Sequence, residues 1–161
     1  PFVTATLVTM PDSAERVVEL VRTIGPDAVQ IHGEWTPDEI RYIRAETQRK
    51  VLLAVDAAEP GRAEELDAVA DALVLDSTDE SGAGGTGETH DWTQAGELAD
   101  RLTSPVVLAG GLTPDTVAEA IRAADPFAVD VASGVELDGG RKDHNAVARF
   151  VANAGREMEL V

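Results

Sequence analysis

Asp76 ends the apolar run Ala72–Asp76, His32 ends Ala28–His32, and Asp130 falls within Ala128–Val131. Carboxyl groups and an imidazole at the ends of buried strands can pass protons to and from a bound ligand, which is general acid–base chemistry. Each residue also has a plainer use. Asp76 would cap a loop together with Ser77 and Thr78, Asp130 would be a buried carboxylate bonded to backbone or arginine, and His32 would be a satisfied structural residue. The other histidines, His90 and His144, fall in a loop and at a helix start. The three share no ligand spacing such as H-x-x-x-H, so the expectation is no metal.

Two glycine turns accompany these residues. Val106–Pro114 reads VVLAGGLTP, a strand, a glycine pair and a helix opening, and Val129–Glu136 reads VDVASGVE, a strand followed by small residues. Backbone N–H groups at Gly110, Gly111, Ser133 and Gly134 suit an anion, with the dipole of a following helix behind the first pair. In barrel proteins the loops after the last two strands often hold a phosphate. The plainer alternative is a pair of tight turns without a ligand.

The stretch Gly82–Trp92, GAGGTGETHDW, satisfies G-x-G-x-x-G and nearly satisfies G-x-x-x-x-G-K-[ST]. A dinucleotide fingerprint follows its strand directly and opens a helix. Here Ser77–Ser81 intervene after the strand, and the helix signal waits for Asp91. A triphosphate loop needs a lysine, and Glu88 stands in its place. What remains is a loop whose glycines supply flexibility, with Asp91 capping the next helix and Trp92 anchoring it.

Six short runs position these groups: Val3–Val8, Ala28–His32, Val51–Val55, Ala72–Asp76, Val106–Ala109 and Ala128–Val131. Nearly continuous apolar runs rich in Val and Leu read as parallel strands covered on both faces. Helix openings lie between them. Asp12-Ser13-Ala14-Glu15 and Thr36-Pro37-Asp38-Glu39 have capping-box spacing, and Thr113-Pro114-Asp115 repeats the second opening. Six βα repeats imply a parallel sheet, either an open doubly wound sheet or a barrel. A full barrel needs about 250 residues, or about 200 when compact, so 161 residues fall short by roughly two units. One domain over residues 1–161 is expected.

The chain has no cysteine, which rules out disulfides and thiolate chemistry within it. No apolar run is long enough to span a membrane, and the start lacks a signal-peptide pattern. A cytoplasmic protein is the expectation. Thirty acidic residues against 13 basic ones give a net charge of −17, and 11 of the 13 are arginine. The acids are spread along the chain, so they form a solvated surface that repels nucleic acid and anionic membranes. Acid excess with lysine depletion predicts salt adaptation.

The segments A-V-Q-I-H-G (28–33), L-V-L-D-S (73–77), G-G-T-G-E-T-H-D-W (84–92), V-L-A-G-G-L-T-P (107–114), V-D-V-A-S-G-V-E (129–136) and G-R-K-D (140–143) resemble, in order, the phosphoribosylanthranilate isomerase family. His90 departs from the usual Phe. The resemblance implies a (βα)8 barrel of TIM type and an Amadori rearrangement of N-(5-phosphoribosyl)anthranilate in tryptophan biosynthesis, without metal or cofactor. It implies that Asp76 is the general acid, that His32, Asp130, Gly84 and Gly85 contact substrate, and that Gly110, Gly111, Ser133 and Gly134 hold its phosphate. It makes the glycine loop a flap over the anthranilate end. It also aligns this chain with units 3–8 of the barrel. The family's cysteine base and its arginine for the anthranilate carboxylate belong to units 1 and 2.

An incomplete barrel has free edges at Val3–Val8 and Ala128–Val131, and such edges invite pairing with another chain. A homo-oligomer joined at the edges, or a sheet partly closed on itself, is expected. Two other functions fit the same residues: a non-catalytic phosphate-binding, self-associating remnant, and another sugar-phosphate barrel enzyme such as an epimerase.

Overall fold

The computed structural model describes residues 3–76 and 92–158. Six parallel strands alternate with helices: β1 (Thr6–Thr9), α1 (Ala14–Ile24), β2 (Ala28–Ile31), α2 (Pro37–Thr47), β3 (Lys50–Asp56), α3 (Pro60–Asp67), β4 (Ala72–Asp76), α4 (Trp92–Ala99), β5 (Val106–Ala109), α5 (Val117–Ala124) and β6 (Ala128–Val129). A small antiparallel pair follows, β7 (Glu136–Asp138) and β8 (Arg141–Lys142), and then α6 (His144–Met158).

Strand order in the sheet is the order in the chain, β1 to β6, with every neighbour parallel. A doubly wound sheet reverses its strand order and so places helices on both faces. Sequential order with crossovers of one hand places all helices on one face. The doubly wound alternative is therefore excluded, and the sheet curls as a barrel segment does.

Burial follows the strand period. In β3, Val51, Leu53 and Val55 are buried toward the helices, while Leu52 and Ala54 on the other face are half-buried. The helices return matching stripes: Val17 and Val21 from α1, Ile40 and Ile43 from α2, Leu98 from α4, Val117 and Ala120 from α5. Each large aliphatic side chain buried this way contributes about 1.5–3 kcal/mol. Neighbouring helices also pack on one another, α1 on α2, α4 on α5 and α5 on α6. At Gly96 a β-carbon would lie 2.9 Å from the Ala123 carbonyl oxygen, so α4 and α5 approach too closely for a side chain there.

Caps set the helix starts. Thr36 accepts from the Glu39 N–H and the Glu39 carboxylate accepts from the Thr36 N–H, a complete capping box with Pro37 in the first turn. In α1 the cap is Ser13, which accepts from the Arg16 N–H, instead of the expected Asp12. The Thr113 opening makes a turn first, with regular helix from Val117; the Thr113 N–H donates to Thr116 Oγ1.

The amino-terminal side of the sheet is tied by aspartates. Asp27, just before β2, accepts from the Ala5 N–H, and Asp71, just before β4, accepts from the Val51 N–H. Asp71 also takes ion pairs from Arg44 and Lys50. Asp67, at the end of α3, accepts from the N–H groups of Thr103 and Ser104.

The edge strands are shorter than the sequence reading placed them. β1 covers Thr6–Thr9 instead of Val3–Val8, and β6 pairs only through Ala128 and Val129. β1 and β6 do not pair with each other, so the sheet has not closed on itself. Val8, on the inner face of β1, is 59% exposed.

Candidate functional site

The carboxyl ends of the strands surround a cavity of about 500 Å³ on the sheet face opposite the helices. Inward residues from the strands and their ends reach it: Val8 from β1, Gln30 from β2 and His32 just beyond it, Ala54 from β3, and Val74 and Asp76 from β4. After β5 come Gly110 and Gly111, and after β6 come Asp130, Ser133 and Gly134. Strand alternation explains the set, because Gln30 and His32, like Val74 and Asp76, are two apart and so share a face.

Asp76 ends β4 half-buried, level with Asp56 of β3 and Ala109 of β5. Asp56 does not line the cavity; its carboxylate accepts from the Ala58 N–H. Asp130 is corrected in place and surroundings. It follows β6 instead of lying within it, and it is exposed, so the buried structural reading falls. Two residue pairs with β5 are all that β6 makes, and only the Asp130 N–H continues the ladder, donating to the Leu108 carbonyl.

His32 lies one residue beyond β2 and is firmly seated. Its N–H donates to the Thr9 carbonyl, and its own carbonyl accepts from Trp35 Nε1 at 3.0 Å. Trp35 is buried, and its carbonyl accepts from Arg62, which pairs with Glu34 and Glu65. Gly33 makes the turn possible with a φ of 110°, a conformation open to glycine. The His32 ring meets Gln30, with amide Nε2 and ring Nε2 3.2 Å apart. Sequence reasoning missed Gln30, although its spacing from His32 placed both on one face.

Gly110 and Gly111 leave β5 with φ of 90° and 61°, so both positions favour glycine. Ser133–Val135 form a single 3-10 turn after β6. Barrel phosphate sites use a short helical turn at this place. Lys142 holds the turn from behind: its ammonium donates to the Ala132 carbonyl at 2.8 Å and to the Glu136 carboxylate at 2.6 Å. The bond from Lys142, and then that from the Gly140 N–H, hold the Glu136 carboxyl below its ordinary range. This clamp was not read from the sequence.

Gly84 and Gly85, with the rest of the glycine loop, lie outside the described residues. Among those described, no three His, Asp or Glu side chains converge as a metal site would require, and no helix is long and apolar enough to cross a membrane.

A curled parallel α/β sheet with its acid, imidazole and glycine turns at the carboxyl strand ends defines an α/β-barrel type of protein. Within that class, the profile of the N-(5'phosphoribosyl)anthranilate (PRA) isomerase family matches residues 3–153. The chain belongs to that family. It is 86% identical over 160 residues to N-(5'-phosphoribosyl)anthranilate isomerase of Halorubrum lacusprofundi, spanning 99% of this chain and 75% of that protein. Identity to the Haloferax volcanii isomerase is 53%, over 96% of this chain and 69% of that one. The salt-adapted reading of the composition agrees with these sources. The fold matches the crystal structure of phosphoribosyl anthranilate isomerase from Thermotoga maritima with a TM-score of 0.84 and 34% identity, over 97% of this chain and 75% of that one. A phosphoribosyl anthranilate isomerase in complex with reduced 1-(o-carboxyphenylamino)-1-deoxyribulose 5-phosphate matches at 0.80 and 32%, over 97% of this chain and 73% of that one.

Proposed function

We propose that this chain carries the acid and phosphate-binding part of a phosphoribosylanthranilate isomerase site, as one incomplete barrel domain equivalent to units 3–8. The observation that carries the reading is the cavity, which gathers Asp76, His32 and Asp130 with the glycine turns after β5 and β6. The ligand's phosphate sits against the N–H groups of Gly110, Gly111, Ser133 and Gly134. Its sugar extends toward Asp76, which protonates the furanose ring oxygen and opens it to a Schiff base. Removal of the C2′ proton then gives the enolamine and the ketose product. The family's base is a cysteine, and this chain has none. The base and the anthranilate-binding arginine therefore belong to the two units that would complete the barrel, which suits a match over three quarters of the relatives' length. Gly84 and Gly85 would flank the anthranilate end. The free edges at β1 and β6 are where further strands would add, from those two units or from a second copy.

The test uses the 161-residue chain in molar salt, with inorganic phosphate, the reduced aminodeoxyribulose phosphate compound and the fluorescent substrate as probes. The expected result is binding of the first two without turnover. Turnover that disappears in Asp76→Asn would support the acid and overturn the assignment of the base. Failure to bind either compound would sink the phosphate-site reading.

A further inference from the structure

Gln30 on the inward face of β2 and His32 just beyond its end form a polar pair, and Gln30 has apolar inward neighbours. By register Gln30 lies between Val8 of β1 and Leu52 of β3. A half-buried amide in such a layer calls for a partner, and the partner is the His32 ring. With the amide nitrogen facing the ring, Gln30 donates, and ring Nε2 accepts and carries no proton. The proton of the neutral imidazole is then on Nδ1. The rest of His32 is already committed, its N–H to Thr9 and its carbonyl to Trp35. Among the described residues Nδ1 has no hydrogen-bond partner, and His32 lines the cavity.

We infer that Gln30 is a positioning residue that locks His32 in its Nδ1–H tautomer, making His32 a hydrogen-bond donor to a sugar oxygen of the bound ligand and unfit to be the base at Nε2. The inference rests on the cavity being the substrate site, as proposed above. A neutral donor held in place meets a hydroxyl or carbonyl oxygen without the cost of burying a charge. It also keeps His32 from competing for the proton that the reaction moves elsewhere.

The tautomer can be measured without turnover. Long-range 1H–15N spectra of the chain in molar salt, at a pH where imidazoles are neutral, report which ring nitrogen is protonated. His32→Phe identifies the signal among three histidines. The expected result is Nδ1–H in the wild type, a shift toward Nε2–H in Gln30→Leu, and inversion to Nε2–H in Gln30→Glu, whose carboxylate accepts. An Nε2–H ring in the wild type, or a tautomer unmoved by Gln30→Leu, overturns the inference. Unchanged His144 signals show that each variant is folded.

Titration with the reduced aminodeoxyribulose phosphate compound reads the consequence. Gln30→Leu should weaken it by about five- to tenfold, the loss of one neutral hydrogen bond, and leave inorganic phosphate binding unchanged. His32→Asn, whose amide nitrogen reaches the place of Nδ1, should retain binding better than His32→Gln. Equal loss in both overturns the donor role. If the wild type binds phosphate but not the larger compound, the phosphate turn stands and the sugar contact is overturned. If it binds neither, the substrate-site reading itself fails, while the spectra still decide the hold of Gln30 on His32.

Discussion

Gly134 is pressed against the backbone of Leu112. A β-carbon on Gly134 would overlap the Leu112 carbonyl oxygen, reach its carbonyl carbon at 3.0 Å and reach Val131 Cγ2 at 3.3 Å. The turns after β5 and β6 are therefore locked to each other by the absence of a side chain. They present one surface to the cavity instead of two independent loops.

Gly134→Ala should push these turns apart. The expected cost is about 1–3 kcal/mol of stability, as for other forced insertions into packed sites, with loss of phosphate binding beyond what the stability change explains. Thermal melts and a phosphate titration check it. Normal phosphate affinity in a folded Gly134→Ala would show that the turns do not act together.

The Lys142–Glu136 clamp gives that turn an acid limit. A carboxyl whose folded value lies below its ordinary 4.5 contributes order at pH above 4.5 and loses it as pH falls through the lower folded value. Protection of the Ser133–Val135 amides, measured against their intrinsic exchange rates, should therefore be high at neutral pH and fall below about 4.5. Lys142→Met should lower this protection at neutral pH and flatten its acid dependence. An unchanged profile in Lys142→Met would refute the clamp.

Asp71 should set part of the acid stability of the whole fold. Burial is the largest single influence and pushes its carboxyl up. The bonds from Lys50 and the Val51 N–H, with the charges of Arg44 and Lys50, together outweigh burial and hold it below its ordinary 3.8. Its contribution is thus complete above about pH 4 and disappears as pH falls through the lower folded value. Asp71→Asn should cost about 1.5–3 kcal/mol at neutral pH, the range for hydrogen bonds to a charged group. It should also reduce the fall in stability on acidification, as read by denaturant unfolding at pH 3 and pH 7.

With 30 acidic residues against 13 basic ones, self-repulsion should be a main opponent of folding in dilute buffer. At 1 M salt the screening length is about 3 Å, so the melting temperature should rise steeply between dilute and molar salt. Sodium and potassium chloride at matched ionic strength separate general screening from ion-specific effects. A flat salt dependence would refute repulsion as the cause.

The strand runs, the helix stripes and the Thr36 capping box were legible because they depend on local rules. Two-residue alternation, helical spacing and a side chain reaching three residues ahead are all written along the chain. β4 and β5 fall where the apolar runs place them. The edges were less legible. A strand lasts only as long as a neighbour supplies hydrogen bonds, so Val3–Ala5 drop out of β1, and β6 stops at Val129 with Asp130 exposed beyond it. The α1 start was misplaced by one residue because Asp12 and Ser13 are both good caps, and only the path of the chain selects Ser13.

The sequence by itself determined a parallel α/β chain, its salt-adapted surface, the strand-end positions of Asp76 and His32, and the glycine turns, because spacing and residue type are one-dimensional properties. Tertiary structure decided the rest. Sequential pairing of the strands excluded the doubly wound sheet and put Asp76, His32 and the glycine turns around one cavity. Only contacts between residues well apart in the chain could show that Gly134 rests on Leu112, that Lys142 braces the Ala132 carbonyl, or that the Thr9 carbonyl seats the His32 N–H at the end of its strand.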